Sequence, residues 1–241
     1  MKKLFDKSEL GFALVWIGIY CLGMSVFDEI SRVLGVESIA SAVFAAFAVI
    51  FLFFWLKAKG LSVRFGLCRA KTPAKEFWFY IPLLLITSFN LWRGVGSNYG
   101  ALALVCFILK MLCVGFLEET IFRGFLFKAI SQSSLKWALV VSSLTFGLGH
   151  ILNLINGSGM SIGENLVQIV SAVLIGFLYV LIFIRSGSLW MCIISHGVFN
   201  SLSAFSVSEK SDYTVIILCV ITIIYALIIL KTFPQKAVSE K

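Results

Sequence analysis

Three short stretches place acidic, imidazole and amide side chains within otherwise apolar sequence. They are residues 118–123 (EETIFR), 146–150 (FGLGH) and 196–200 (HGVFN). The two histidines of the chain, His150 and His196, both fall in these stretches. A carboxylate beside two imidazoles can take a proton from water and stabilise the charge that develops on an attacked carbonyl. The stretches therefore predict either a hydrolytic site or a buried polar network that joins helices, and the chemistry alone leaves both open.

The composition indicates that membrane spans carry these residues. The chain has 241 residues, of which 60% are hydrophobic and 13% charged, and its mean hydropathy is +1.00. Because a membrane-spanning helix needs about 20 apolar residues, a chain of this length has no room for a separate soluble domain. We predict an all-α, polytopic transmembrane helical bundle that forms a single domain over residues 1–241.

Uninterrupted apolar windows predict about eight spans. Their approximate bounds are 11–27, 39–56, 77–92, 101–117, 135–152, 166–184, 189–205 and 213–230. The third and seventh windows are short. The fourth helix is expected to continue beyond the membrane surface to about Ile130, because that segment has no proline and keeps its apolar residues.

The distribution of basic residues predicts the orientation. If the spans alternate from a cytoplasmic N-terminus, sixteen Lys and Arg residues lie on the cytoplasmic side, against Arg32, Arg93 and Lys210 outside. Cytoplasmic loops of membrane proteins carry such an excess, so we predict a multi-pass protein of the cell membrane with both termini cytoplasmic. Topology thereby explains the net charge of +8, and no nucleic-acid partner is expected. Lys110, within the fourth window, could tune the site or snorkel towards the surface, and we favour snorkelling.

The three stretches are expected at similar depths in the membrane. With a rise of about 1.5 Å per residue, Glu118 lies about 18 Å from the cytoplasmic end of its helix, His150 about 21 Å and His196 about 13 Å. Alternating spans could have scattered these residues across the full thickness of the bilayer. Their similar depths therefore favour one shared site.

Helical phase separates the two adjacent glutamates. Glu119 and Arg123 are four residues apart with the carboxylate on the N-terminal side, which favours an ion pair. Glu118 lies about 100° away around the helix and is free to point into a cavity. His196 and Asn200 are also four residues apart, so they face the same direction.

The three stretches resemble the signature of the CPBP family, the CAAX-protease and bacteriocin-processing group of intramembrane proteases, also called Abi. That signature is EExxxR, then FxxxH, then HxxxN or HxxxD, on successive core helices, and all three are intact here within residues 112–203. The roles that the resemblance implies are activation of water by Glu118, holding of that water by His150, stabilisation of the oxyanion by His196 and Asn200, and support of the site by Glu119, Arg123 and Phe146.

The resemblance implies an endopeptidase that acts within the bilayer on a peptide or protein substrate. The compact chain is similar to the small bacterial members, so we expect a small membrane-associated peptide or protein tail, in bacteriocin or pheromone maturation or in immunity. No cofactor is certain. Glu118, His150 and His196 could form a three-ligand zinc site, but HExxH is absent and we favour glutamate-activated water without a metal.

Two other functions compete with this hypothesis. A non-catalytic immunity or scaffold protein, which binds a toxin or a sensor, would use the polar residues only for packing. A transporter would also carry ionisable residues within its spans, but it predicts inverted repeats and broken helices. The sequence shows neither, so the transporter ranks last.

Overall fold

The computed structural model describes residues 1–97, 99–157, 159–206 and 212–232, and these ranges are helical without a β-strand. The all-α prediction is therefore confirmed. The α-helices are, in chain order, α1 (Lys2–Lys7), α2 (Glu9–Val33), α3 (Ile39–Ala58), α4 (Ile81–Thr87), α5 (Ala101–Glu118), α6 (Phe127–Ser131), α7 (Leu135–Gly149), α8 (Ile151–Ile155), α9 (Ile162–Ser186), α10 (Trp190–Leu202) and α11 (Asp212–Lys231).

Six helical segments of the described ranges are long and apolar enough to cross a membrane, and each coincides with a predicted window. The third and seventh windows contain shorter helices. The seventh is α10, with 13 residues, and the third is an apolar helix over Trp78–Thr87 that changes from 3-10 to α geometry at Tyr80. The predicted number of about eight is thus approximate: six full-length helices and two short ones.

The fourth span continues as one helical segment over Ala101–Ser131, as predicted. Between α5 and α6 it changes to a π-helix over Glu119–Leu126, which the sequence did not predict. All eight residues of this π-helix are buried. Short π-helical segments often occur at functional sites, and this one carries two residues of the EExxxR motif.

Aromatic side chains close one end of the bundle beneath the π-helix. We call this group the aromatic floor; it consists of Phe5, Phe12, Phe65 and Phe125. The Phe12 and Phe65 rings pack edge-on against Phe125, with centroid separations of 5.0 and 4.9 Å. Edge-to-face pairs at such distances are favourable beyond the area they bury, so this end of the bundle is tightly packed.

Glycines allow the helices that carry the motifs to approach closely. A Cβ atom on Gly115 of α5 would lie 2.6 Å from the backbone nitrogen of Gly197 on α10. A Cβ atom on Gly147 of α7 would lie 2.3 Å from the side chain of Val173 on α9. Small residues at such crossings let helix backbones meet within a membrane. The first crossing lies one turn from Glu118 and beside His196, so it fixes their separation.

Candidate functional site

A cavity of about 680 Å³ lies between α2, α5, α7, α9 and α10. The four residues predicted to be catalytic all line it, and so does Phe146. Glu119 and Arg123 lie behind its wall, where neither side chain has any exposed area. The structure thus brings the three sequence motifs to one place, while the roles of the individual residues stay predictions.

The two oxygens of Glu118 have different surroundings. Oε1 accepts a hydrogen bond from the Tyr20 hydroxyl at 2.5 Å. Oε2 is buried and has no hydrogen-bond partner, and it lies 3.5 Å from Nε2 of His196. Since both residues line the cavity, one water molecule on the cavity side can hydrogen-bond both atoms at that separation. Glu118 therefore has one oxygen held in place and one available to accept a proton.

The His196 ring is oriented by the second glutamate. Its Nδ1 lies 2.8 Å from Oε1 of Glu119. Because a carboxylate only accepts hydrogen bonds, Nδ1 carries the proton of the neutral ring and Nε2 faces the cavity as an acceptor. When the ring is protonated, Nε2 becomes a donor in the same direction. Either form can therefore contact a molecule beside Glu118.

Arg123 provides the positive charge that Glu119 faces. Its Nη1 lies 3.2 Å from Oε1 of Glu119, yet no nitrogen of the guanidinium meets hydrogen-bond geometry. Charge attraction therefore holds the pair more than directed bonding does. The guanidinium also lies over the Phe146 ring, with Cζ 3.9 Å from its centroid. A cation over an aromatic face is favourable when it is removed from water.

Phe146 lies at the centre of these contacts. Besides the guanidinium, its ring meets the rings of His150 and His196 nearly at right angles, each with a centroid separation of 5.7 Å. One side chain thus spaces both histidines and stabilises Arg123. The Phe of the FxxxH motif therefore packs against all three of these side chains, and its supporting role stays a prediction.

His150 is the residue that caps the C-terminal end of α7. The side-chain amide of Asn165 donates a hydrogen bond to its carbonyl oxygen at 2.9 Å. The Asn153 amide lies 3.5 Å from its Nδ1 and donates to Gln168 at 3.0 Å. The start of α9 therefore positions this histidine, on another wall of the cavity than Glu118.

Asn200 lines the cavity one helical turn after His196. The Ser203 hydroxyl donates a hydrogen bond to its backbone carbonyl at 2.7 Å. The neighbouring backbone carbonyl of Phe199 accepts a bond from Asn90 at 2.6 Å. These bonds fix the last turn of α10, so the Asn200 amide is held one helical turn from the His196 ring.

The sequence analysis missed two residues of the cavity. Tyr20 gave no signal, because a tyrosine in a span is usually a packing residue. Asp28 could have been found from the sequence. Lys110 is an ionisable residue within a span and therefore needs a partner, and Asp28 is an acidic residue that could provide one. Lys110 does not snorkel as predicted, since its side chain is only 11% exposed and Nζ lies 3.1 Å from Oδ1 of Asp28.

The side chains of the described residues do not fit a metal site of three ligands. Glu118 and His196 are close, but no group of three or more His, Cys, Asp or Glu side chains in these ranges could hold a metal ion. The zinc site with His150 therefore stays a prediction from sequence, and no chemical step below is assigned to a metal.

Comparison with protein families identifies the central segment of the chain. Residues 100–202 match the family model described as Type II CAAX prenyl endopeptidase Rce1-like. The matched segment runs from the start of α5 to the end of α10, and it contains all three motifs. Searches of curated proteins and of solved structures gave no match.

Proposed function

We propose that the chain is a multi-pass membrane endopeptidase of the CAAX type, which the match of residues 100–202 to the Rce1-like family model supports, and that it cleaves peptide bonds with a water molecule held by Glu118 and His196. One observation carries this proposal: Oε2 of Glu118 is buried without a hydrogen bond, 3.5 Å from Nε2 of His196, on the wall of the cavity.

The chemistry begins with the transfer of a proton from this water to Oε2 of Glu118. The water oxygen then attacks the carbonyl carbon of the substrate, and a tetrahedral oxyanion forms. Glu118 passes its proton to the leaving nitrogen as the carbon–nitrogen bond breaks, which gives a carboxyl and an amine product. A positioned acid–base group of this kind contributes about 10² to 10⁴-fold in rate.

The oxyanion needs donors that are in place before it forms. We assign this role to the Asn200 amide and to Nε2 of His196 in its protonated form. Glu119 stabilises that protonated ring through Nδ1, at 2.8 Å. Loss of one such donor typically lowers kcat by about 10² to 10³-fold.

We also propose a substrate class, a small membrane-associated peptide or protein tail. The cavity supports this, because its volume of about 680 Å³ suits a short extended segment rather than a folded domain. Within this class, bacteriocin or pheromone maturation and immunity are the pathways we favour.

The non-catalytic scaffold is the main competing function. A network that only joins helices keeps its polar groups away from any cavity, and Glu119 and Arg123 fit that description because neither side chain has any exposed area. Oε2 lacks a hydrogen-bond partner in both glutamates, but only Glu118 lines the cavity. This difference favours the enzyme.

Cleavage of a peptide library by the purified protein in lipid vesicles tests the proposal. We expect products from the wild type, and none above background from Glu118→Gln or His196→Ala. Ser25→Ala serves as the matched control, since Ser25 lines the cavity and takes no part in the steps above. Unchanged cleavage in Glu118→Gln would contradict the mechanism. Absence of cleavage by a folded wild type would favour the scaffold.

A further inference from the structure

The two ends of the bundle differ in charge. One end, here called the basic face, consists of segments 1–9, 57–73, 127–136 and 185–189. These segments hold three, five, two and one Lys or Arg residues respectively, eleven in total. The opposite end, here called the open face, consists of segments 29–38, 92–97, 150–157, 159–162 and 203–206. It holds two in these ranges, Arg32 and Arg93.

Contacts between distant segments establish both faces. On the basic face, the carboxylate of Glu9 bonds Arg64 at 2.5 Å and Gln132 at 2.7 Å. On the open face, the Arg32 guanidinium donates to the Asn156 carbonyl at 3.4 Å, and the nitrogen of Gly96 donates to the Phe205 carbonyl at 2.9 Å. Each face is therefore a single surface built from several loops.

The cavity becomes more exposed towards the open face. At its deep end lie Phe122, Tyr179 and His196, all buried. At its other end lie Asn156 and Glu164, which are exposed, and Asp28, whose side chain is 40% exposed. The mouth of the cavity is thus formed by residues of the open face and of the adjoining ends of α2 and α9.

The path from the deep end to the basic face is closed. The π-helix lies there with all its residues buried, and the aromatic floor packs beneath it. Phe65 and Phe125 of this floor are 1% exposed. In the ranges that the structure describes, no residue of the basic face lines the cavity, so the cavity offers a peptide no path from that face to Glu118.

Membrane proteins keep their excess of Lys and Arg on the cytoplasmic side. From this rule and the position of the mouth, we infer that the cavity opens to the non-cytoplasmic side of the membrane. If the chain is the endopeptidase proposed above, its substrate is a peptide or tail that presents its scissile bond from outside the cytoplasm, as an exported peptide does. Tails of cytoplasmic proteins are then excluded.

Thiol labelling tests this orientation, and it needs no turnover. Cys21 lines the cavity and serves as a natural reporter, with Cys21→Ser as its control. Glu164→Cys reports on the mouth, and Lys59→Cys, at an exposed position, reports on the basic face. Intact cells and inside-out vesicles are treated with a charged, membrane-impermeant thiol reagent, and the modified cysteines are identified by mass spectrometry.

We expect Cys21 and Glu164→Cys to react in intact cells, with this reaction lost in inside-out vesicles. Lys59→Cys should show the opposite behaviour. Reaction of Cys21 or Glu164→Cys only in inside-out vesicles would overturn the inference. Reaction of Cys21 from neither side, but after denaturation, would also overturn it, because the cavity would then be closed to water. Since no cleavage is measured, these results are independent of the role of Glu118.

Discussion

Glu118 and Glu119 are adjacent in the chain, yet their surroundings are opposite. Glu118 faces the cavity with its side chain 13% exposed, one oxygen bonded to Tyr20 and the other without a partner. Glu119 has no exposed area, and its Oε1 contacts both Arg123 and His196. Oε2 lacks a hydrogen-bond partner in both glutamates, but only Glu118 lines the cavity, where its carboxylate can take part in chemistry, whereas the enclosed Glu119 holds the fold and orients its neighbours. The comparison predicts that the two carboxylates respond differently to the same substitution.

The largest effect is expected for Glu118→Gln. The amide oxygen keeps the hydrogen bond from Tyr20, but the side chain can no longer accept a proton from water. We expect kcat to fall by about 10² to 10⁴-fold, while the free energy of unfolding stays unchanged. Steady-state cleavage and unfolding by SDS titration measure the two quantities. A variant that loses stability together with activity would remove the distinction between the two glutamates.

Glu119→Gln is expected to lower stability, unlike Glu118→Gln, and to lower kcat as well because Glu119 stabilises the protonated ring of His196. It leaves the buried guanidinium of Arg123 without a counter-charge, which costs about 3 to 5 kcal/mol of unfolding free energy for a broken buried pair. The double variant Glu119→Gln/Arg123→Met removes both charges and should recover part of this loss, as the same SDS titration would show. If the losses of unfolding free energy from the two substitutions simply added in the double variant, the 3.2 Å contact would contribute no coupling energy between Glu119 and Arg123.

Tyr20→Phe tests whether the hydrogen bond from the Tyr20 hydroxyl positions Glu118. A hydrogen bond to a charged group is worth about 1.5 to 3 kcal/mol, so we expect kcat to fall roughly 10 to 100-fold with KM unchanged. Tyr225→Phe is the matched control: its hydroxyl bonds the carbonyl of Phe79, and Tyr225 does not line the cavity. Equal kcat values for the two variants would show that Tyr20 does not position Glu118.

The smallest effect is expected for the ion pair at the cavity mouth. Asp28 is partly exposed, so its coupling with Lys110 should be about 1 kcal/mol or less. A double-mutant cycle of Lys110→Met and Asp28→Asn measures that coupling energy by SDS titration. The exposed pair of Glu29 and Arg32, with both side chains more than half exposed, should give a value near zero. A coupling comparable to that of Glu119 and Arg123 would contradict this ranking.

The sequence predicted much of the fold, because composition and apolar windows determine which segments can cross a membrane. It did not predict the π-helix at Glu119–Leu126, since an apolar segment has no periodicity that distinguishes π from α geometry. The third and seventh windows were recognised as short, but their helical lengths depend on packing. The break near Tyr80 illustrates this.

The site was predictable where its residues share one helix, as Glu119 and Arg123 do. Contacts between distant helices were not, because the crossing geometry is a tertiary property. Tyr20 and Glu118 are 98 residues apart, and the glycine crossing that places His196 depends on the shapes of two helices. The snorkelling prediction for Lys110 was wrong for the same reason: it treated one helix in lipid and ignored the acidic partner on α2.

The central claim is that a water molecule lies between Glu118 and His196. An experimental density map of the protein in lipid, at a resolution that shows ordered water, tests it most directly. We predict a water peak within hydrogen-bond distance of both Oε2 of Glu118 and Nε2 of His196. A map in which Oε2 instead bonds directly to another protein group, with no water beside it, would contradict the account.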